Sequence, residues 1–174
     1  INENPESKIL VFVRTKVRAE RVMEAMKRVN IFVETIHSDK THIERKATMQ
    51  NFASGQTKVL IATDVSARGV DIPNVDYVVN YDIPEEPENY VHRIGRTGRG
   101  NKRGKAFSYI APEEAKLLNE IESYIGYPMP IIDINPELEE TIMMSSMMDR
   151  TWKDVYKEIA EVESQSNKKR KKRK

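Results

Sequence analysis

The first 130 residues of this 174-residue chain switch repeatedly between two hydrophobic patterns, and that alternation limits the fold more than any other feature. Five short runs rich in β-branched residues read as strands: Ile9–Val13, Val33–Ile36, Val59–Ala62, Tyr77–Asn80 and Ala106–Ile110. Helical spacing fills the intervals. Residues 16–29 place Val22, Met26 and Val29 on one face, and residues 87–96 pair Tyr90 with Ile94. Thr41-His42-Ile43-Glu44 matches a capping box and predicts a helix start. Residues 112–125 form the clearest helix, with Pro112 first, Leu118, Ile121 and Ile125 as its stripe, and Gly126 as its stop. Strands alternating with helices imply βαβ units, and continuous apolar runs imply strands covered on both faces. The expected fold is α/β: three layers, with a central mainly parallel β-sheet flanked by helices.

Beyond Pro130 the pattern weakens. Residues 131–134 read as one more edge strand, and Met143, Met144, Met147 and Met148 follow without periodicity. A helical stripe returns within residues 149–163 at Trp152, Val155, Ile159 and Val162. The last seven residues, 168–174, are all Lys or Arg and read as a disordered basic tail. The expected layout is a domain over 1–130, an extension over 131–167 and the tail.

Charge follows the same division. The net charge is +2, but without the tail 22 of the 29 basic residues face 27 acidic ones. Any nucleic-acid site in the folded part must therefore be a local patch. The chain contains no cysteine, which excludes disulfides and thiolate metal sites and fits an intracellular, cytoplasmic setting. No apolar run approaches the roughly 18 residues of a membrane span. The chain begins at Ile1 rather than Met, which points to an upstream segment.

The densest chemistry lies in His92-Arg93-Ile94-Gly95-Arg96-Thr97-Gly98-Arg99. Three arginines recur every third residue, and residues 93–105 hold six basic side chains and no acid. Guanidinium forks at the end of a helix suit phosphate oxygens through paired, charge-assisted hydrogen bonds, and the glycines permit close approach. Taken alone, such a run is more often a solvated basic loop.

Its order, however, closely resembles motif VI of the DEAD-box RNA helicases. Ala62-Thr63-Asp64-Val65-Ser66-Ala67-Arg68-Gly69-Val70-Asp71-Ile72 resembles motif V, and residues 9–15, Ile-Leu-Val-Phe-Val-Arg-Thr, resemble motif IV. Residues 37–45, His-Ser-Asp-Lys-Thr-His-Ile-Glu-Arg, resemble motif IVa with its preceding turn. All four stand in family order over residues 8–110. Ser38 stands where the family usually has Gly, and His42 where it has Gln. Both positions face RNA in the family.

The resemblance implies the second of two RecA-like domains that close around ATP and single-stranded RNA. No G-x-x-x-x-G-K-[ST] phosphate loop and no Asp-Glu-Ala-Asp sequence occurs in this chain. The ATP cradle and the Mg²⁺ ligands are thus expected on an upstream RecA-like domain, and this chain alone is expected to be inactive. The resemblance assigns Arg96 and Arg99 as arginine fingers on the γ-phosphate. It gives Gly69, Asp71 and His92 to the ATP site, with Asp71 on the ribose side. Arg45 and Thr63 are implied to contact the RNA backbone, with Asp64 at or supporting that loop. Local, ATP-driven unwinding of RNA duplexes is the implied activity, with weak sequence preference because the contacts are to sugar and phosphate. The domain with its basic tail is nearest the bacterial RhlE-type subgroup. Two other readings are another superfamily-2 helicase, which commonly has Gln in place of His92, and a catalytically silent RNA-binding module.

Overall fold

The computed structural model describes residues 6–67, 72, 75–98 and 104–132. The chain divides into two units, Ile1–Met129 and Pro130–Lys174, and the fold below is that of the first. Its strands are β1 (Ile9–Phe12), β2 (Val33–Ile36), β3 (Val59–Ala62), β4 (Tyr77–Asn80) and β5 (Lys105–Ser108). All are parallel, in the order β2-β3-β1-β4-β5. Central β1 is buried at all four positions, with Ile9 level with both Val59 and Tyr77.

Side-chain alternation gives the sheet two apolar faces. Ile9, Val11, Val13, Val33, Val59 and Ile61 pack with Ala19 and Val22 of α1 (Lys16–Arg28). Leu10, Phe12, Ile36, Leu60, Ala62 and Val78 pack with Phe52 of α2 (His42–Ser54). Each fully buried side chain of this size contributes roughly 1.5–3 kcal/mol. A smaller cluster joins Ile83, Tyr90 of α4 (Pro87–Ile94) and Ile121 of α5 (Ala115–Ile125).

The helix ends follow local chemistry. The Thr15 hydroxyl accepts the Arg18 N–H at 3.2 Å to start α1. Thr41 and Glu44 form the full capping box of α2, as expected. Glu44 accepts the Thr41 N–H at 2.7 Å and its hydroxyl at 2.8 Å, which holds the Glu44 carboxyl below its ordinary value. Gly126 ends α5 at φ 83°, a left-handed conformation that favours glycine.

Several boundaries differ from the sequence expectation. β1 ends at Phe12 because the Arg14 N–H leaves the ladder for the Asp82 carboxylate, at 2.9 Å. β5 runs over Lys105–Ser108, starting one residue earlier and stopping two earlier than expected. α4 stops at Ile94, and the Arg96 N–H bonds the Arg93 carbonyl at 3.1 Å in a tightened last turn. Pro112 opens a 3₁₀ turn, Pro112–Glu114, ahead of α5. Asp64–Ala67, expected as loop, forms a one-turn helix, α3. Ile131 and Ile132 lie in no strand; the rest of that expected strand, the Trp152 stripe, the four methionines and the basic tail lie outside the described residues.

Candidate functional site

Parallel strands point their carboxyl ends to one side, and ligands of open α/β sheets gather there, where the strand order reverses. Here the chain runs from β1 out to β2, returns through β3, and crosses β1 to reach β4 and β5. Arg14, His37, Thr63 and Asp82 follow the ends of β1, β2, β3 and β4 and so share that edge.

Two of the expected RNA-side residues meet α3. Arg45, in the first turn of α2, points a guanidinium nitrogen at the Ser66 carbonyl, 3.4 Å away. Thr63 is buried, its hydroxyl 2.9 Å from that of Ser66, and its carbonyl accepts the Ser66 and Ala67 N–H groups at 3.0 Å. The capping box fixes the start of α2 and thereby the position of Arg45. Ser38 and His42 are both exposed at this end of the sheet.

Asp64 faces inward. Its two carboxylate oxygens accept from Nε and an Nη of Arg93, both at 2.7 Å. Arg93 is only 2% exposed and also donates to the Asn80 side chain at 3.1 Å and the Asp82 carbonyl at 2.7 Å. Its guanidinium lies 5.0 Å from the centre of the Phe12 ring. A buried charge is tolerable only with this degree of pairing. The sequence places Arg93 in one run with Arg96 and Arg99, and the structure separates it from Arg96 by burial. The available signal was its spacing three residues after Tyr90, which puts it on the buried face of α4.

Arg96 is different. It is half-buried, its backbone is held at both ends, and its guanidinium forms no ion pair among the described residues. The Arg96 carbonyl accepts the Val75 N–H at 3.1 Å, and the Thr97 hydroxyl donates to the Val75 carbonyl at 2.6 Å. Gly104 closes against this turn: a side chain there would overlap the Thr97 hydroxyl and stand 2.5 Å from the Gly98 nitrogen. Neither Thr97 nor Gly104 was anticipated as a support. His92 is exposed on the last turn of α4. Gly69, Asp71 and Arg99 lie outside the described residues.

A cavity of about 570 Å³ opens beside the site, between Arg14, Arg18, Tyr81 and Tyr109. Its arginines are already engaged, Arg14 with Glu114 at 3.0 Å and Arg18 with Asp82 at 3.2 Å. Behind β2, burial opposes ionisation of Glu20. Hydrogen bonds from His37 at 2.7 Å and Thr35 at 2.8 Å outweigh that effect and lower its pKa. Among the described residues no group of three or more His, Asp or Glu side chains could hold a metal ion.

A family model described as the helicase conserved C-terminal domain matches residues 1–101. The DEAD-box ATP-dependent RNA helicase CshA of Bacillus subtilis is 47% identical over 140 residues, covering 80% of this chain and 28% of that protein. This chain spans 26–28% of the length of such curated relatives. Among solved structures, the E. coli DEAD-box protein SrmB bound to RraA aligns with a TM-score of 0.69 and 34% identity, over 74% of this chain and 78% of that one. S. cerevisiae Dbp5 bound to RNA and ADP BeF3 aligns at 0.68 and 33%, over 82% of this chain and 38% of that one.

Proposed function

The chain belongs to the helicase conserved C-terminal domain family, in the form carried by DEAD-box RNA helicases, and from that premise we propose that it is the C-terminal RecA-like half of an ATP-dependent RNA helicase. The observation that carries this reading is the division of labour among the arginines. Arg93 is consumed inside the domain, whereas Arg96, one helical turn on, is held by its backbone with its guanidinium unpaired among the described residues.

In this reading ATP and Mg²⁺ are held by an upstream RecA-like domain. Bound ATP supplies the phosphoryl group. Arg96 and Arg99 approach its γ-phosphate across the cleft and offset charge that develops during transfer. Gly69 and Asp71 meet the nucleotide, and His92 lies between the nucleotide side and the RNA side. Arg45, from the first turn of α2, and Thr63, at the end of β3, contact the RNA backbone on either side of Ser66, and Asp64 anchors the α3 turn between them. Closure on both ligands distorts one strand and parts a short duplex, and reopening releases it. The RhlE-type subgroup and a cytoplasmic location belong to the same proposal, as does the layout of domain, extension and RNA-tethering basic tail. No described helix is long and apolar enough to cross a membrane.

The test is ATP hydrolysis by the protein joined to its upstream domain, with and without single-stranded RNA. Arg96→Ala should lower the RNA-stimulated rate by about a hundredfold or more, as removal of an arginine finger does elsewhere, with RNA still bound. An unchanged rate would remove Arg96 from the chemistry and leave an RNA-binding module.

A further inference from the structure

We propose that Arg93 is a positioning residue that joins the RNA-side turn to the phosphate-side arginine and makes the two respond as one unit. The inference rests on the helicase reading and deepens it. Arg93 touches each part that must agree. Through Asp64 it holds α3, where Ser66 meets both Arg45 and Thr63. Through Asn80 and the Asp82 carbonyl it holds the end of β4, and through the Phe12 ring it rests on β1. Its own carbonyl accepts the N–H of Arg96.

The connection is short and directional. A guanidinium has five N–H donors in a rigid plane. Four are spent here: two in parallel on Asp64, one on Asn80 and one on Asp82. Rotation of α3 by RNA bound at Thr63 and Arg45 would turn the Asp64 carboxylate and, with it, the Arg93 plane. The backbone leading to Arg96 starts one residue later. A lysine cannot take this part, because an ammonium is a point charge without two parallel donors. Burial excludes the competing role of Arg93 as a direct phosphate ligand, since it is 2% exposed.

The experiment measures the ratio of ATP hydrolysis with saturating single-stranded RNA to that without it, in the two-domain protein. Arg93→Lys should lower this ratio about tenfold, within the usual range of allosteric coupling. Asp64→Asn should lower it comparably, and the double variant should fall no further, because both remove one link. Circular dichroism checks that each variant is folded. Should Arg93→Lys not fold, Asn80→Ser, which removes one acceptor and leaves the ion pair, should lower the ratio by a smaller factor. A purely structural role predicts rates that fall equally with and without RNA, or losses that add in the double variant; either result overturns the proposal. An unaltered protein that RNA does not stimulate would instead overturn the helicase reading beneath it.

Discussion

Gly104 lies directly beneath Thr97: a Cβ at position 104 would overlap the Thr97 hydroxyl and stand 2.5 Å from the next backbone nitrogen, that of Gly98. Position 104 therefore sets where the turn carrying Arg96 can sit. Gly104→Ala should cost about 1–3 kcal/mol through overpacking. In the proposed helicase it should also lower RNA-stimulated ATP hydrolysis about tenfold or more, because small displacements of the proposed Arg96 finger are costly. RNA affinity measured without nucleotide should change far less. Equal losses in the two assays would place the defect in folding rather than in the turn.

Loss of the Arg93 side chain should be among the most damaging single changes in the domain. Breaking a buried pair by removing one partner typically costs about 3–5 kcal/mol. The Asp64 side chain is 30% exposed, so Arg93→Met should fall toward the lower end of that range. Adding Asp64→Leu should recover part of the loss, since the stranded carboxylate is then gone. Urea unfolding of the two variants checks both statements.

Acid should weaken the contact between α1 and β2. The folded-state pKa of Glu20 is depressed below 4.5, so its stabilising contribution is present above that value and is lost as pH falls through the lower folded value. Its side chain is 42% exposed, which limits the effect to about 1 kcal/mol at most. Glu20→Gln should flatten the pH dependence of unfolding below pH 4.5 and leave stability at neutral pH less sensitive to acidification. A slope unchanged by the substitution would move the effect to other carboxylates.

Thr41→Ala removes the oxygen that caps α2 and one donor to Glu44. The expected cost is about 1 kcal/mol, read from the urea midpoint. Because Arg45, the proposed RNA contact, lies in that first turn, RNA affinity should fall as well, and Thr41→Ser should restore both.

Local signals were legible in the sequence wherever the cause was local. The capping box at Thr41, the stop at Gly126 and the apolar runs of β1 and β3 each depend on neighbours within a few residues, and they were read correctly. Features that depend on distant partners were not. Arg93 and Asp64 are 29 residues apart, and nothing in either segment says that they pair. Gly104 looked like an ordinary loop glycine, because the atom it must avoid belongs to Thr97 on another segment. The early end of β1 has the same origin, since Arg14 is drawn off by Asp82, 68 residues away. For the site, family resemblance indicated which residues to examine; the geometry separated the buried arginine from the available one.

The central strand, β1, has consequences during synthesis. It emerges near the start of this segment, yet both of its sheet neighbours, β3 and β4, follow much later. Phe12 meets Asn80 in register only after 68 further residues have been added. At about 5–20 residues per second the ribosome needs roughly 3–14 s for that interval. Throughout it, the edge of β1 that β4 will cover remains unpaired on the nascent chain, even once β3 is available to the other edge. Chaperone capture and premature aggregation should therefore focus on residues 9–13, and substitutions that slow the arrival of β4 should lower the soluble yield without altering the stability of the finished domain.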